Sequence, residues 1–394
     1  MPRSIPALVT PALLKWARER TGLQLVEAAD RVGIHPTTLE EWEAGHEVPS
    51  IAQARKLGEV YKRPLAVFFL PKPPRDFDPQ REFRRLPGVT LDDESPELRN
   101  ALRVAVYRRQ AALAVYEATG EPPPRVKAEA NPDEDPETVG ARIRALLDIS
   151  WQKQLDWPSA TAAFNGWRSA IESLGVLVFQ TGDVSLSEMR GTSIPRSPLP
   201  VILVNSSDAP HGRIFTILHE FAHILLTNGG HESTSMATRP RPEDQILERV
   251  SNRFASAALL PRPEFLAEVS NFPRVAEGDE DAVRRFANRI KASPEAILRR
   301  LLTFRRIPAS LYKGKRRDWQ TRSWYVAPNT GGGPPIEVRV IAAAGRPFVS
   351  LILDGYRRRA VSSADVADYL GVQLKYMDRV ARQLARGSTS EIGA

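Results

Sequence analysis

The chain has 394 residues, 42% hydrophobic and 26% charged, with a net charge of +8; this is the composition of two or three globular domains and excludes a disordered or fibrous protein. It contains no cysteine, so disulfides and thiolate sites are excluded and any metal must use His and carboxylate ligands. No run of 18 apolar residues occurs and the N-terminus has no signal-peptide core, so a cytoplasmic protein without a membrane partner is expected.

Residues 8–70 predict five short helices, at about 11–20, 24–32, 36–44, 51–61 and 64–69. Small Ala28 and Ala29, the turn residue Gly33, apolar Leu39 and Trp42, and the break at Ala44-Gly45 have helix-turn-helix spacing. Residues 25–45 with Pro49 resemble the Xre/Cro-like class, a resemblance that implies a third helix lying in the DNA major groove. Candidate DNA contacts are Gln24, His35, Thr37 and Thr38, with Arg55 and Lys56 for phosphates. The third helix also carries Glu40, Glu41 and Glu43, and residues 1–70 hold nine Lys and Arg against eight Asp and Glu. That is a thin cation supply for a DNA reader, so homodimer formation or protein contacts stand as the alternative use of this domain.

Residues 71–138 read as a linker with one long helix at 98–118. The stretch 71–97 is rich in proline and charge, as in a surface strap, and the N-terminal domain boundary is placed within 71–95. Helices at about 139–147 and 160–174 then lead to strands at 176–180 and 200–205, and residues 189–194 are assigned to an edge strand able to take an extended peptide by β-addition.

Residues 215–226 read FTILHEFAHILL. On a helix His219 and His223 lie one turn apart on one face, and Glu220 comes round beside them. This is the H-E-x-x-H pattern, in which two imidazoles hold Zn²⁺ and the carboxylate is the general base. The surrounding residues are apolar almost all round, so the helix is expected to be buried, where unsatisfied polar groups are costly and a shared metal would satisfy them. A third ligand is expected from a second helix at 243–261. Glu248 is the first choice, with Asn252 as support behind it, and Glu243, Asp244 and His231 as alternatives. His231 is also the candidate donor to the developing oxyanion.

HEFAH followed by E-x-x-x-N-x-F-A-x-x-x-L-x-P, here Glu248 to Pro261, resembles the ImmA/IrrE family of bacterial metallopeptidases. The likeness extends upstream through Trp167, Ile171, Gly175 and the strands 176–179 and 200–205, covering roughly residues 140–305. The resemblance implies a zincin-like fold, His219, His223 and Glu248 as zinc ligands and Glu220 as base. The chain departs at Ser251, where members commonly carry Ala; the exchange is expected to be neutral.

Helices at 279–291 and 294–305 complete a peptidase domain spanning 139–306. From Arg299 to Arg322 nine Lys and Arg face a single Asp, with Trp319, Trp324 and Tyr325 interleaved, a composition that suits nucleic acid, an acidic protein or plain solvent. Asn329–Gly333 reads as flexible. Residues 336–356 are expected to form a β-hairpin around Ala344-Gly345-Arg346, followed by helices at 363–370 and 374–386.

The fold expected is therefore α+β: an all-helical helix-turn-helix domain (1–70), the linker (71–138), a small zincin-like α+β metallopeptidase domain (139–306) and a basic C-terminal α+β unit (307–394). The function expected is a zinc endopeptidase, with one Zn²⁺ per chain and Mn²⁺ as the other candidate metal, that cleaves a protein substrate such as a transcriptional repressor and reads DNA through its first domain. The alternative is a regulator or antitoxin that binds its promoter and a toxin partner, with a weak or inactive peptidase-like domain.

Overall fold

The computed structural model describes residues 6–63, 65–72, 94–231, 242–320 and 333–389. Most of the strap at 71–97, Arg322, Trp324, Tyr325 and most of Asn329–Gly333 lie outside these. The chain divides into two compact units, and the division falls within a long helix, after Val104.

The first unit is helical: α1 (Pro11–Thr21), α2 (Leu25–Val32), α3 (Pro36–Ala44), α4 (Ile51–Tyr61), a 3-10 turn Leu65–Phe69, and the start of α5 (Pro96–Thr119). Leu13, Leu14, Ala17, Ala28, Ala29, Leu39, Trp42, Leu57 and Phe68 form its core. Gly33 ends α2 in the left-handed region with φ of 74°, a conformation that costs glycine nothing and lets α3 turn away sharply. Ser50 and Gln53 form a reciprocal capping box at the start of α4.

The second unit is built on a three-stranded sheet of β1 (Leu177–Thr181), β2 (Gly191–Ile194) and β3 (Val201–Asn205) in the order β1-β3-β2. β1 runs parallel to β3 and β2 antiparallel to it, so β2 is an edge strand. Its residues fall within the stretch assigned to such a strand from the sequence. Before the sheet come α6 (Pro136–Leu146), α7 (Trp151–Asp156) and α8 (Ala160–Ser173); after it come α9 (Pro210–Asn228) and α10 (Pro242–Leu259). Ile202 and Val204 of the sheet share one core with Trp167 and Ile171 of α8, Ile217, Leu218 and Phe221 of α9, and Phe254 and Ala258 of α10.

Two devices fix α10. Its C-terminal end would leave carbonyls unpaired, and three consecutive ones are taken by side chains: Arg144 donates to Ala258 O (2.8 Å), Gln154 to Leu259 O (3.2 Å) and Arg300 to Leu260 O (2.9 Å). Where α6 crosses α10, a Cβ on Gly140 would sit 2.6 Å from the Ala257 carbonyl carbon, so only glycine allows this approach. α11 (Arg262–Ser270), α12 (Pro273–Ala276), α13 (Glu280–Ile290), α14 (Pro294–Thr303) and α15 (Ala309–Gln320) follow.

The expected C-terminal hairpin is not formed. Residues 336–356 fold as α16 (Ile336–Ala344) and α17 (Arg346–Arg357), followed by α18 (Ser363–Leu370), a 3-10 turn Leu374–Tyr376 and α19 (Met377–Thr389). No strand occurs among the described residues beyond Asn205, so the C-terminal part is helical and not α+β. The alternation of IEVRV imitates a strand, but packing overrides β-propensity here. Phe348, Val349, Ile352 and Leu353 are all buried at helical intervals, and Pro347 stands in the first turn of α17, where proline suits a helix. Phe348 meets Phe179 of β1 edge-on at 5.5 Å, and both Arg168 and Gln180 donate to Ala342 O near the end of α16.

Candidate metal centre and nucleic-acid interface

α9 starts with Pro210 in its first turn and runs through the core, with Glu220 and His223 buried and His219 nearly so. Arg213 anchors it to the sheet by donating to Gln180 Oε1 on β1 (2.8 Å). The i, i+4 spacing places His219 and His223 together, with ring centroids 4.6 Å apart and both Nε2 atoms turned to one point, 3.1 Å from each other. Glu248 reaches the same point from α10: Oε1 lies 3.3 Å from His219 Nε2 and Oε2 3.6 Å from His223 Nε2.

A tetrahedral ion with ligands at about 2.0–2.2 Å sets neighbouring donor atoms about 3.3–3.6 Å apart, and the observed separations lie at or close to those edges. Two imidazoles and one carboxylate are the donor set of a catalytic zinc centre that keeps a fourth position open. Among the described residues His219, His223 and Glu248 form the group able to hold a metal. The residues present fit the ion.

Glu220 stands beside this group and accepts a hydrogen bond from Ser193 Oγ to Oε2 (2.7 Å). Ser193 comes from β2, fully buried, and Gly191 two residues earlier lies on the same strand face. A Cβ on Gly191 would come within 2.2 Å of Thr216 Cγ2 on α9. The bare glycine therefore brings α9 close enough for the serine to reach its carboxylate. Ser193 was not singled out in the sequence, and a GTS stretch carries no signal of what it faces.

Asn252 was expected behind the ligands, but its Nδ2 donates to its own helix at Glu248 O (2.8 Å). Ser251 of the same helix reaches a ligand candidate directly, its Oγ 2.8 Å from His223 Nδ1. His231 follows α9, its ring 3.1 Å from Asn131 Oδ1. Glu243 and Asp244 occupy the first turn of α10, outside the ligand group.

In the first unit, His35 caps α3: its Nδ1 accepts from Thr37 N and meets Thr37 Oγ1 at 2.8 Å. Gln24 just before α2, Thr37 on α3, and Arg55 and Lys56 on α4 are exposed, and Thr38 is half-buried. The acidic character read along α3 is partly internal. Glu43 turns inward to a two-pronged pair with Arg18 of α1, at 2.7 and 2.8 Å, and Glu41 meets His46 Nδ1 at 2.8 Å. The spacing of Arg18 and Glu43 in sequence gave no hint of this.

Residues 171–302 match the peptidase-family model described as an IrrE N-terminal-like domain, and residues 14–68 match the helix-turn-helix model. No curated protein matches the chain. The chain joins an N-terminal helix-turn-helix domain to a metallopeptidase-like domain of the ImmA/IrrE type, and no helix among the described residues is long and apolar enough to cross a membrane.

Proposed function

We propose that this chain is a zinc-dependent endopeptidase whose helix-turn-helix domain binds DNA, and that its substrate is a regulatory protein such as a transcriptional repressor. The observation that carries this reading is the convergence of His219, His223 and Glu248 on one point with Glu220 beside them, its second oxygen held by Ser193. Zn²⁺ held by those three residues would polarise a scissile carbonyl and acidify water. Glu220 takes the proton of the attacking water and returns it to the leaving amide nitrogen. Ser193 holds the carboxylate through Oε2, which fixes its orientation for this transfer. Because Ser193 sits on the edge strand β2, an extended peptide added along that strand would pass close to the base, with main-chain hydrogen bonds giving affinity independent of sequence.

The helix-turn-helix gives the enzyme a reason to be near its target. A repressor bound on DNA is met at raised effective concentration by a protease that binds the same DNA. Thr37, Thr38 and Gln24 are the side chains proposed to face the bases, with Arg55 and Lys56 to phosphates. The competing reading is a promoter- and toxin-binding regulator without turnover; a domain that only binds has no use for a carboxylate held ready beside a ligand cluster.

The test has two arms. Elemental analysis should find about one zinc per chain, lost in His223→Ala and Glu248→Ala. Mass spectrometry of protein N-termini in cells expressing wild type or Glu220→Gln should find cleavage products made by wild type alone. A phenotype that survives Glu220→Gln unchanged, with no such products, would establish the regulator reading instead.

A further inference from the structure

Several hydroxyls inside the described helices bond back to their own helix. Thr21 donates to Ala17 O, Thr216 to Gly212 O, Ser270 to Leu266 O and Thr303 to Arg299 O, each four residues earlier, the usual arrangement for such side chains. Ser251 does otherwise. Fully buried on α10, it reaches across to α9, with Oγ 2.8 Å from His223 Nδ1. His223 is itself buried, and its other nitrogen faces His219 and Glu248. Ser251 stands three residues after Glu248, so both lie on the side of α10 that faces the histidines.

We propose that Ser251 is a positioning residue for the metal centre: its Oγ accepts the Nδ1–H of His223, which fixes the ring in the tautomer whose Nε2 lone pair points at the ligand cluster. This rests on the reading of His219, His223 and Glu248 as metal ligands. A neutral imidazole carries one proton, and it must sit on Nδ1 for Nε2 to act as a ligand. Metal-binding histidines ordinarily give this proton to a carboxylate, a carbonyl or water. In this chain a serine hydroxyl from the adjoining helix takes that place, so α10 supplies both a ligand and the group that orients another. On this proposal the Ser251 exchange, expected from the sequence to be neutral, matters to the metal centre.

Two measurements on the full-length protein test this. Zinc affinity by competition with a chromophoric chelator should fall about 10- to 100-fold in Ser251→Ala, while the metal-free variant still unfolds in one cooperative thermal transition, at a midpoint lowered by the loss of the hydrogen bond to His223. In metal-free protein labelled with ¹⁵N at its six histidines, long-range ¹H–¹⁵N spectra, assigned with His223→Ala, should give His223 the Nδ1–H tautomer in wild type and lose that preference in Ser251→Ala. Equal zinc affinity in the two proteins overturns the proposal, as does an Nε2–H tautomer in both. Should wild type bind no zinc at all, the endopeptidase reading fails, and the tautomer spectra alone then decide the role of Ser251.

Discussion

Helices α9 and α3 carry the chain's two motifs, and each buries a glutamate, but to opposite ends. Glu220 on α9 takes a hydrogen bond from the neutral hydroxyl of Ser193. Glu43 on α3 is met by the fork of Arg18, which also donates to Leu23 O at 3.1 Å. A guanidinium cancels the carboxylate's charge and turns it into a structural tie between helices, and burial of a charged partner makes the tie costly to break. A hydroxyl orients a carboxylate without itself cancelling the charge. Burial of an acid therefore says little about its use; the nature of its partner says more.

Mutations should separate the two glutamates. The largest effect belongs to Glu220→Gln, which should lower proteolysis by about 10²- to 10⁴-fold while zinc content and DNA binding hold, as checked by rate assays on a cleaved substrate beside elemental analysis. Glu43→Ala should leave cleavage chemistry alone but strand Arg18, destabilising the first unit by about 3 kcal/mol in urea unfolding, with DNA affinity falling in step; exposed Glu40→Ala should change stability by less than about 0.5 kcal/mol. Equal effects from Glu43 and Glu40 would erase the contrast. Ser193→Ala should lower kcat about 10-fold, near 1.4 kcal/mol, with KM and zinc affinity unchanged, since it removes an orienting bond to the base and no ligand.

Apart from the Glu40 control, the smallest effect comes from the start of α9. Burial, with help from the Lys291 charge, pushes the His211 imidazole down to about 4. Its protonated form is thus favoured in the unfolded chain. The stability this gives is full above the unfolded value near 6.5 and drains away as pH falls towards 4, on the order of 1 kcal/mol for a partly exposed ring. Unfolding midpoints measured from pH 7.5 to 4 should show the loss, and His211→Gln should flatten it; an unaltered slope in that variant would assign the loss to other groups.

Much of the fold was legible because its signals are local. The helix-turn-helix elements follow Gly33, Gly45 and the apolar spacing, and α9 and α10 follow runs of apolar residues at helical intervals. The hairpin expected at 336–356 failed because Val338, Val340 and Ile341 suit a strand or a buried helix equally, and Phe179, Arg168 and Gln180, far away in sequence, decide the outcome. The contacts of the two serines beside the ligand group were invisible for the same reason. Ser193 and Ser251 lie 27 and 28 residues from the side chains they serve, and no periodicity links them.

The sequence by itself determined that His219, Glu220 and His223 share a helix surface, since 3.6 residues per turn brings i and i+4 together whatever surrounds them. Tertiary structure alone decided what that surface meets. The close crossing at Gly140 and the side-chain caps on Ala258, Leu259 and Leu260 hold α10, which brings Glu248 and Ser251 to the histidines, and the bare Gly191 lets β2 carry Ser193 to Glu220. Directions of side chains across elements depend on packing between segments distant in the chain, and that packing is settled only when the whole core closes.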